Sequence, residues 1–179
     1  MSNIDILIEV RSIKNIFRKR LTPGIGNIDR RQREPSKHEM GMAEVVIKEF
    51  GGKIIFLAER GREAIKTPDA IWSGVKLEIK RASGNSSVSN RVRKAISQLG
   101  EKGIILLDIS RNKKGIEELK NEAIRRVRRS LVDNNLRNIH LQIIFMKNKR
   151  IMEILEIKKR EIRPDTKGSG NLPLPIFVI

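Results

Sequence analysis

Apolar residues recur along this chain in two rhythms, and the change from one to the other marks out its elements. Ile6, Val10, Ile13 and Phe17 lie at helical spacing with Arg11, Lys14, Arg18 and Lys19 elsewhere, predicting an amphipathic helix over 6–20. Residues 21–35, with Thr-Pro-Gly, a second Gly and a cluster of Arg, read as a linker. Ser36-Lys37-His38-Glu39 has the form of a capping box, and the helix it opens carries Met40, Ala43, Val46, Ile47 and Phe50 on one arc before Gly51-Gly52 stops it. The period then shortens. Residues 53–57 read as a strand and 59–67 as a polar loop. Residues 69–81 read as a hairpin, with Ser73-Gly74 as its turn and Val75, Leu77 and Ile79 as a strict apolar face. A Ser/Gly loop at 83–87 leads to a helix over 88–99, with Val88, Val92, Ala95, Ile96 and Leu99 inward. The near-continuous apolar run 104–109 is typical of a strand covered on both faces. A helix over 116–131 and a second hairpin, 139–146 with 151–157, complete the order.

This order predicts an α/β fold with a central mixed β-sheet flanked by helices. The crossover from the first hairpin through helix 88–99 to strand 104–109 is expected to be parallel. Three segments are expected: an N-terminal helical arm and linker (1–35), a main domain (36–157), and a basic, Gly/Pro-rich tail (158–179).

The hairpin also carries chemistry. With Ser73-Gly74 as the turn, Trp72 pairs with Val75, Ile71 with Lys76, Ala70 with Leu77 and Asp69 with Glu78. Lys80 lies on the same face as Glu78. Directly opposed like charges weaken a hairpin, and a divalent cation held by hard oxygen ligands would repay that cost. Trp72, among apolar neighbours, reads as core. A solvated strand face is the competing reading of the three charged groups.

Composition changes the picture in one direction. The chain has 179 residues, 38 Lys and Arg against 21 Asp and Glu, and a formal charge of +17. Such an excess favours a polyanion, above all nucleic acid, or an acidic protein partner. There is no cysteine, which excludes a disulfide framework and a cysteine-based zinc site, and two histidines are too few for a His-rich metal cage. No apolar run approaches the ~20 residues of a spanning helix, and no secretory signal is apparent. Aromatic residues are scarce (five Phe, one Trp, no Tyr), so recognition should lean on shape and phosphates rather than base stacking.

Pro68-Asp69 followed by Glu78-Ile79-Lys80 resembles the active-site motif of the PD-(D/E)xK nuclease superfamily. His38-Glu39 through Ala43, Gly51-Gly52-Lys53-Ile54-Ile55-Phe56-Leu57-Ala58-Glu59, Lys66-Thr67-Pro68-Asp69, Leu77-Glu78-Ile79-Lys80-Arg81 and Ser83-Gly84-Asn85 are similar to one branch. That branch is the C-terminal tRNA-nuclease domain of contact-dependent growth-inhibition toxins. The resemblance covers roughly residues 36 to 157. It implies a metal-dependent ribonuclease with Asp69, Glu78 and Lys80 as catalytic residues. Asp69 and Glu78, joined by Glu39, would ligate one or two divalent metals, Mg²⁺ foremost with Mn²⁺ or Zn²⁺ as alternatives. It further implies tRNA as substrate, action in the cytoplasm of a target cell after delivery, and an acidic immunity protein as partner. Such toxins usually end very long surface proteins, whereas this chain starts with Met and has only a short helical arm, so it reads as an excised fragment or a free-standing relative.

Other candidates stand beside these. Glu39 is either only a cap or a metal-site carboxylate, with Glu44 as the substitute. Arg81, Ser83, Asn85, Arg91, Arg93, Lys94, Arg111, Arg125, Arg126 and Arg129 are candidate nucleic-acid contacts. Four arginines between 125 and 129 exceed what solubility needs. Gln98 is a weak site-proximal candidate. Asp108 reads as an ordinary strand-end residue unless it falls beside Lys80, and His140 as a strand-surface histidine. Two alternatives stay open: a DNA endonuclease of the same fold, and a non-catalytic RNA-binding protein on that scaffold.

Overall fold

A computed structural model describes residues 16–58, 67–83, 88–133 and 139–159. Ten elements follow in order: β1 (Gly26–Asp29), α1 (Lys37–Phe50), β2 (Gly52–Phe56), β3 (Ala70–Trp72), β4 (Val75–Arg81), α2 (Val88–Leu99), β5 (Lys102–Asp108), α3 (Ile116–Asp133), β6 (Ile139–Lys147) and β7 (Arg150–Lys159). The strands form one seven-stranded sheet in sequence order. Pairing is parallel for β1 with β2, β4 with β5 and β5 with β6, and antiparallel at the other three junctions. The sheet is therefore mixed, and the α2 crossover joins parallel neighbours as expected.

Two cores lie on the two faces. Strand β5 serves both, which is why it reads as an unbroken apolar run: Ile105 and Leu107 pack with α2 and α3, Ile104 and Leu106 with α1. Strand β4 divides the faces differently. Val75, Leu77 and Ile79 enter the α1-side core, leaving Glu78 and Lys80 on the face shared with Ile105 and Leu107. Trp72 is fully buried, donates its Nε1–H to the Gly51 carbonyl at 2.9 Å, and meets the Phe17 ring edge at 5.0 Å. Helix α1 starts as its sequence dictates: Ser36 accepts from the Glu39 N–H, and the Glu39 side chain accepts from the Ser36 N–H.

Two expectations need correction. Of the predicted helix 6–20, residues 6–15 lie outside the described residues, and Ile16 to Lys19 form a turn and bends. Ile16 and Phe17 are instead drawn into the α1-side core, where Phe17 packs on Trp72. The segment 21–35 is no mere linker, because four of its residues form β1 and add an edge to the sheet. Its pairing rests on backbone approach rather than side-chain pattern: a Cβ on Gly26 would stand 1.9 Å from the Gly52 carbonyl oxygen. The tail from 160 onward lies outside the described residues. No helix among the described residues is long and apolar enough to cross a membrane.

Candidate active site

The first hairpin builds the site. Its turn places Ser73 at φ 45 and Gly74 at φ 86, the double left-handed geometry that suits strand twist. The register is Trp72 with Val75, Ile71 with Lys76 and Ala70 with Leu77, so Asp69 comes next, opposite Glu78. The two carboxylates are interlocked through backbone. The Asp69 N–H donates to Glu78 Oε1 at 3.0 Å, and the Ile79 N–H donates to Asp69 Oδ2 at 2.8 Å. Lys80 Nζ then donates to Asp69 Oδ2 at 3.2 Å and lies against Glu78 Oε2. Gln98 on α2 donates to the Thr67 carbonyl at 3.3 Å, tethering the strand entry beside Pro68.

Burial sets the electrostatics. Glu78 is 0% exposed. Burial first, then the neighbouring Asp69 charge, pushes its carboxyl up to about 7 against the pull of Lys80. Burial works against the Lys80 ammonium, but Glu78 and Asp69 outweigh it and hold its pKa above the ordinary lysine value. The site therefore contains a firmly protonated lysine and a glutamate that titrates near neutrality.

Glu39 is not brought to this cluster. It lies on α1, whose core residues pack on the other face of the sheet. Arg33 grips both its oxygens, at 2.8 and 3.2 Å, and the Ser36 N–H adds a third contact at 2.8 Å. Burial pushes its carboxyl up, but Arg33 and the Ser36 N–H outweigh this and hold it below the usual range. The same guanidinium reaches the Asp69 carbonyl at 3.5 Å and stacks over Phe56 at 5.3 Å, so Arg33 separates Glu39 from the aspartate strand. Among the described residues no group of three acidic or histidine side chains could hold a metal ion. The substitute, Glu44, is exposed. Arg33 escapes the sequence reading because it sits in the presumed linker. Its only signal there is the cluster of arginines.

Asp108 is no ordinary strand-end residue. It pairs in register with Arg81, one position past Lys80, and its side chain lies on the α1 side of β5. Its Oδ2 receives His38 Nε2 at 2.9 Å and Arg81 Nε at 3.2 Å, and its Oδ1 receives the Ser110 N–H at 2.9 Å. Burial raises its pKa, but Ser110 and His38 outweigh burial and lower it. Sequence alone gave no sign that residues seventy positions apart would meet here. His140 is half-buried and pairs with the buried Glu156 at 2.7 Å.

The remaining candidates spread over two surfaces. Ser83 follows β4, and Asn85 lies outside the described residues. On α2, Arg93 and Lys94 are exposed and Arg91 is half-buried. Arg125, Arg126 and Arg129 line a cleft of about 230 Å³ with Ser89 and Glu122, where α2 meets α3. That cleft belongs to the helix layer on the Glu78 and Lys80 face. Arg111 lies beyond β5, near Asp108.

Comparison with family models, curated proteins and solved structures gives no match. The case for function therefore rests on the site itself.

Proposed function

We propose that this chain is a metal-dependent ribonuclease of the PD-(D/E)xK type, acting on a folded RNA such as tRNA. One observation carries the reading: Asp69, Glu78 and Lys80 interlock at a strand end, with two carboxylates against one ammonium. The order of elements around them, α1–β2–β3–β4–α2–β5, agrees with the arrangement expected of that superfamily. The net charge of +17 supports a polyanionic substrate.

The donor set fits a hard divalent cation. Two carboxylates share a partly dry site, and the fully buried one is raised to about 7 by burial and then by Asp69, so a bound cation would favour its ionised form. Asp69 and Glu78 would hold the ion, Mg²⁺ foremost, without Glu39. When bound it supplies polarisation of the scissile phosphate and a more acidic water. The chain's own groups divide the remaining work. Lys80 keeps its proton at Nζ and offers that charge to the phosphate oxygens as charge builds there. It acts as an electrostatic group rather than as a base. Asp69 aligns Lys80 by accepting from it, and the Ile79 N–H fixes the Asp69 rotamer. Arg125, Arg126 and Arg129 would hold RNA backbone on the helix layer of the same face.

An acidic immunity protein and delivery into a target cell belong to the toxin form of this reading, supported by the basic surface and the sequence resemblance. The test is incubation with total tRNA, rRNA and plasmid, in Mg²⁺ or in EDTA. Cleavage of tRNA that needs metal and is lost in Glu78→Gln is the expected outcome. Cleavage of plasmid alone would move the assignment to a DNA endonuclease. No cleavage in Mg²⁺, Mn²⁺ or Zn²⁺ would overturn it.

A further inference from the structure

A second basic site lies on the opposite face of β4 from the carboxylates. Strands β4, β5 and β6 run parallel, and their carboxyl ends carry Arg81, Asp108 and Lys147. The crevice beyond these ends has a volume of about 230 Å³ and is lined by Lys37, His38, Arg81, Asp108, Arg111 and Lys149 among others. Four permanent cations face one carboxylate.

That carboxylate is already spent on orientation. Asp108 takes Arg81 through Nε alone, which leaves both terminal guanidinium nitrogens without a hydrogen-bond partner among the described residues. It holds His38 through Nε2, leaving Nδ1 for the cleft. No carboxylate among the described residues pairs with Lys37, Arg111 or Lys149.

The backbone at Lys149 is strained in a way that favours this cleft. Asn148 and Lys149 form the β6–β7 turn with φ 50 and φ 58. Glycine is the relaxed choice at the second of these positions, yet a lysine occupies it. The turn is tied down by the Asn148 N–H donating to Ser110 Oγ at 2.8 Å, next to Asp108. Its lysine extends over α1: a Cβ at Gly41 would lie 3.5 Å from Lys149 Cε and 3.8 Å from Nζ. Strain held by surrounding structure at a cleft is a mark of function.

The geometry points to a phosphate-binding site made by Arg81, Lys149 and His38, which seats a backbone phosphate of the nucleic-acid strand next to the one that would react at Asp69, Glu78 and Lys80. The choice of strand as the source rests on the nuclease reading. Lys80 and Arg81 are consecutive residues whose side chains leave opposite faces of β4. A strand crossing the end of β4 meets one after the other, and the forked Arg81 with Lys149 suits phosphate oxygens.

The test uses the whole chain in EDTA, so that loss of cleavage, which bears on the nuclease reading, leaves it undisturbed. Inorganic phosphate is titrated while the His38 ring resonances are followed by NMR, and short RNA and a nucleoside monophosphate then compete. Saturable shifts at His38 are expected, and short RNA should perturb the same resonances and weaken the apparent affinity for inorganic phosphate. Lys149→Gly removes the cation and relaxes the turn. It should weaken phosphate binding about tenfold and lower the salt slope of RNA binding by about 1, without loss of thermal stability. Arg81→Gln should weaken binding at least as much. Phosphate binding of equal strength in wild type and Lys149→Gly, or no perturbation at His38, overturns the site. Displacement by the monophosphate but not by RNA overturns the assignment to a strand.

Discussion

Replacing Glu78 with Gln tests the electrostatics of the candidate site before any substrate is known. Gln keeps the shape and mimics the protonated carboxyl. In the native chain that carboxyl is raised from 4.5 to about 7, chiefly by burial and then by Asp69. The folded state therefore holds the proton more tightly than the unfolded state. Its stabilising contribution is complete below pH 4.5 and is lost as pH rises through about 7. That rise corresponds to about 3 kcal/mol. For a domain of this size that is roughly 6–12 °C in melting temperature. Denaturation of both proteins in EDTA from about pH 4.5 to about pH 8 should give curves that nearly coincide at the acid end and diverge upward. At the alkaline end Glu78→Gln should be the more stable protein by up to about 3 kcal/mol. Taking the difference between the curves removes groups such as Asp108 and Glu156, which titrate in both. Adding Mg²⁺ at alkaline pH should raise the wild-type midpoint, by about 2.7 kcal/mol at a hundredfold excess over Kd, and leave the variant unmoved. Parallel curves at all pH values would refute the reading that burial and Asp69 raise the Glu78 carboxyl against the pull of Lys80. An equal Mg²⁺ response in both proteins would refute its role as a ligand.

Lys80→Met should abolish cleavage while leaving RNA affinity within about twofold, measured in EDTA, because the lysine is assigned to the reacting phosphate rather than to docking. Changing Arg125, Arg126 and Arg129 together to Gln should reduce the salt slope of RNA binding by about 3, read from affinities over a salt series. Ser36→Ala removes the acceptor that caps α1 and should cost about 1 kcal/mol in chemical denaturation. Trp72→Phe deletes the hydrogen bond to the Gly51 carbonyl in a fully buried setting. It should cost about 1–3 kcal/mol by the same measurement.

Much of this molecule follows from local sequence. The Ser36 cap, the stop at Gly51-Gly52 and the turn at Ser73-Gly74 are short-range signals, and each appears where its residues place it. Register follows from them. Once Ser73-Gly74 turns the chain, the period of two fixes Asp69 opposite Glu78 and puts Lys80 on the same face. The continuous apolar run in β5 likewise announces a strand buried on both sides. What failed to show were contacts whose partners are distant in sequence or lack an apolar pattern. Strand β1 is held by the close approach of Gly26 to Gly52, which leaves no side-chain signature. Whether Glu39 would join Asp69 and Glu78 or be neutralised depended on Arg33, a residue in a segment with no regular pattern. The meeting of His38, Arg81 and Asp108 arose only when α1 packed across the ends of parallel strands. Local steric and hydrogen-bond preferences act over a few residues, so sequence determined most of the elements from Ser36 onward and the register of the hairpin that brings Asp69, Glu78 and Lys80 together. Which charges find each other across the sheet is decided by tertiary packing, because desolvation and Coulomb energy depend on distances that only the folded chain sets.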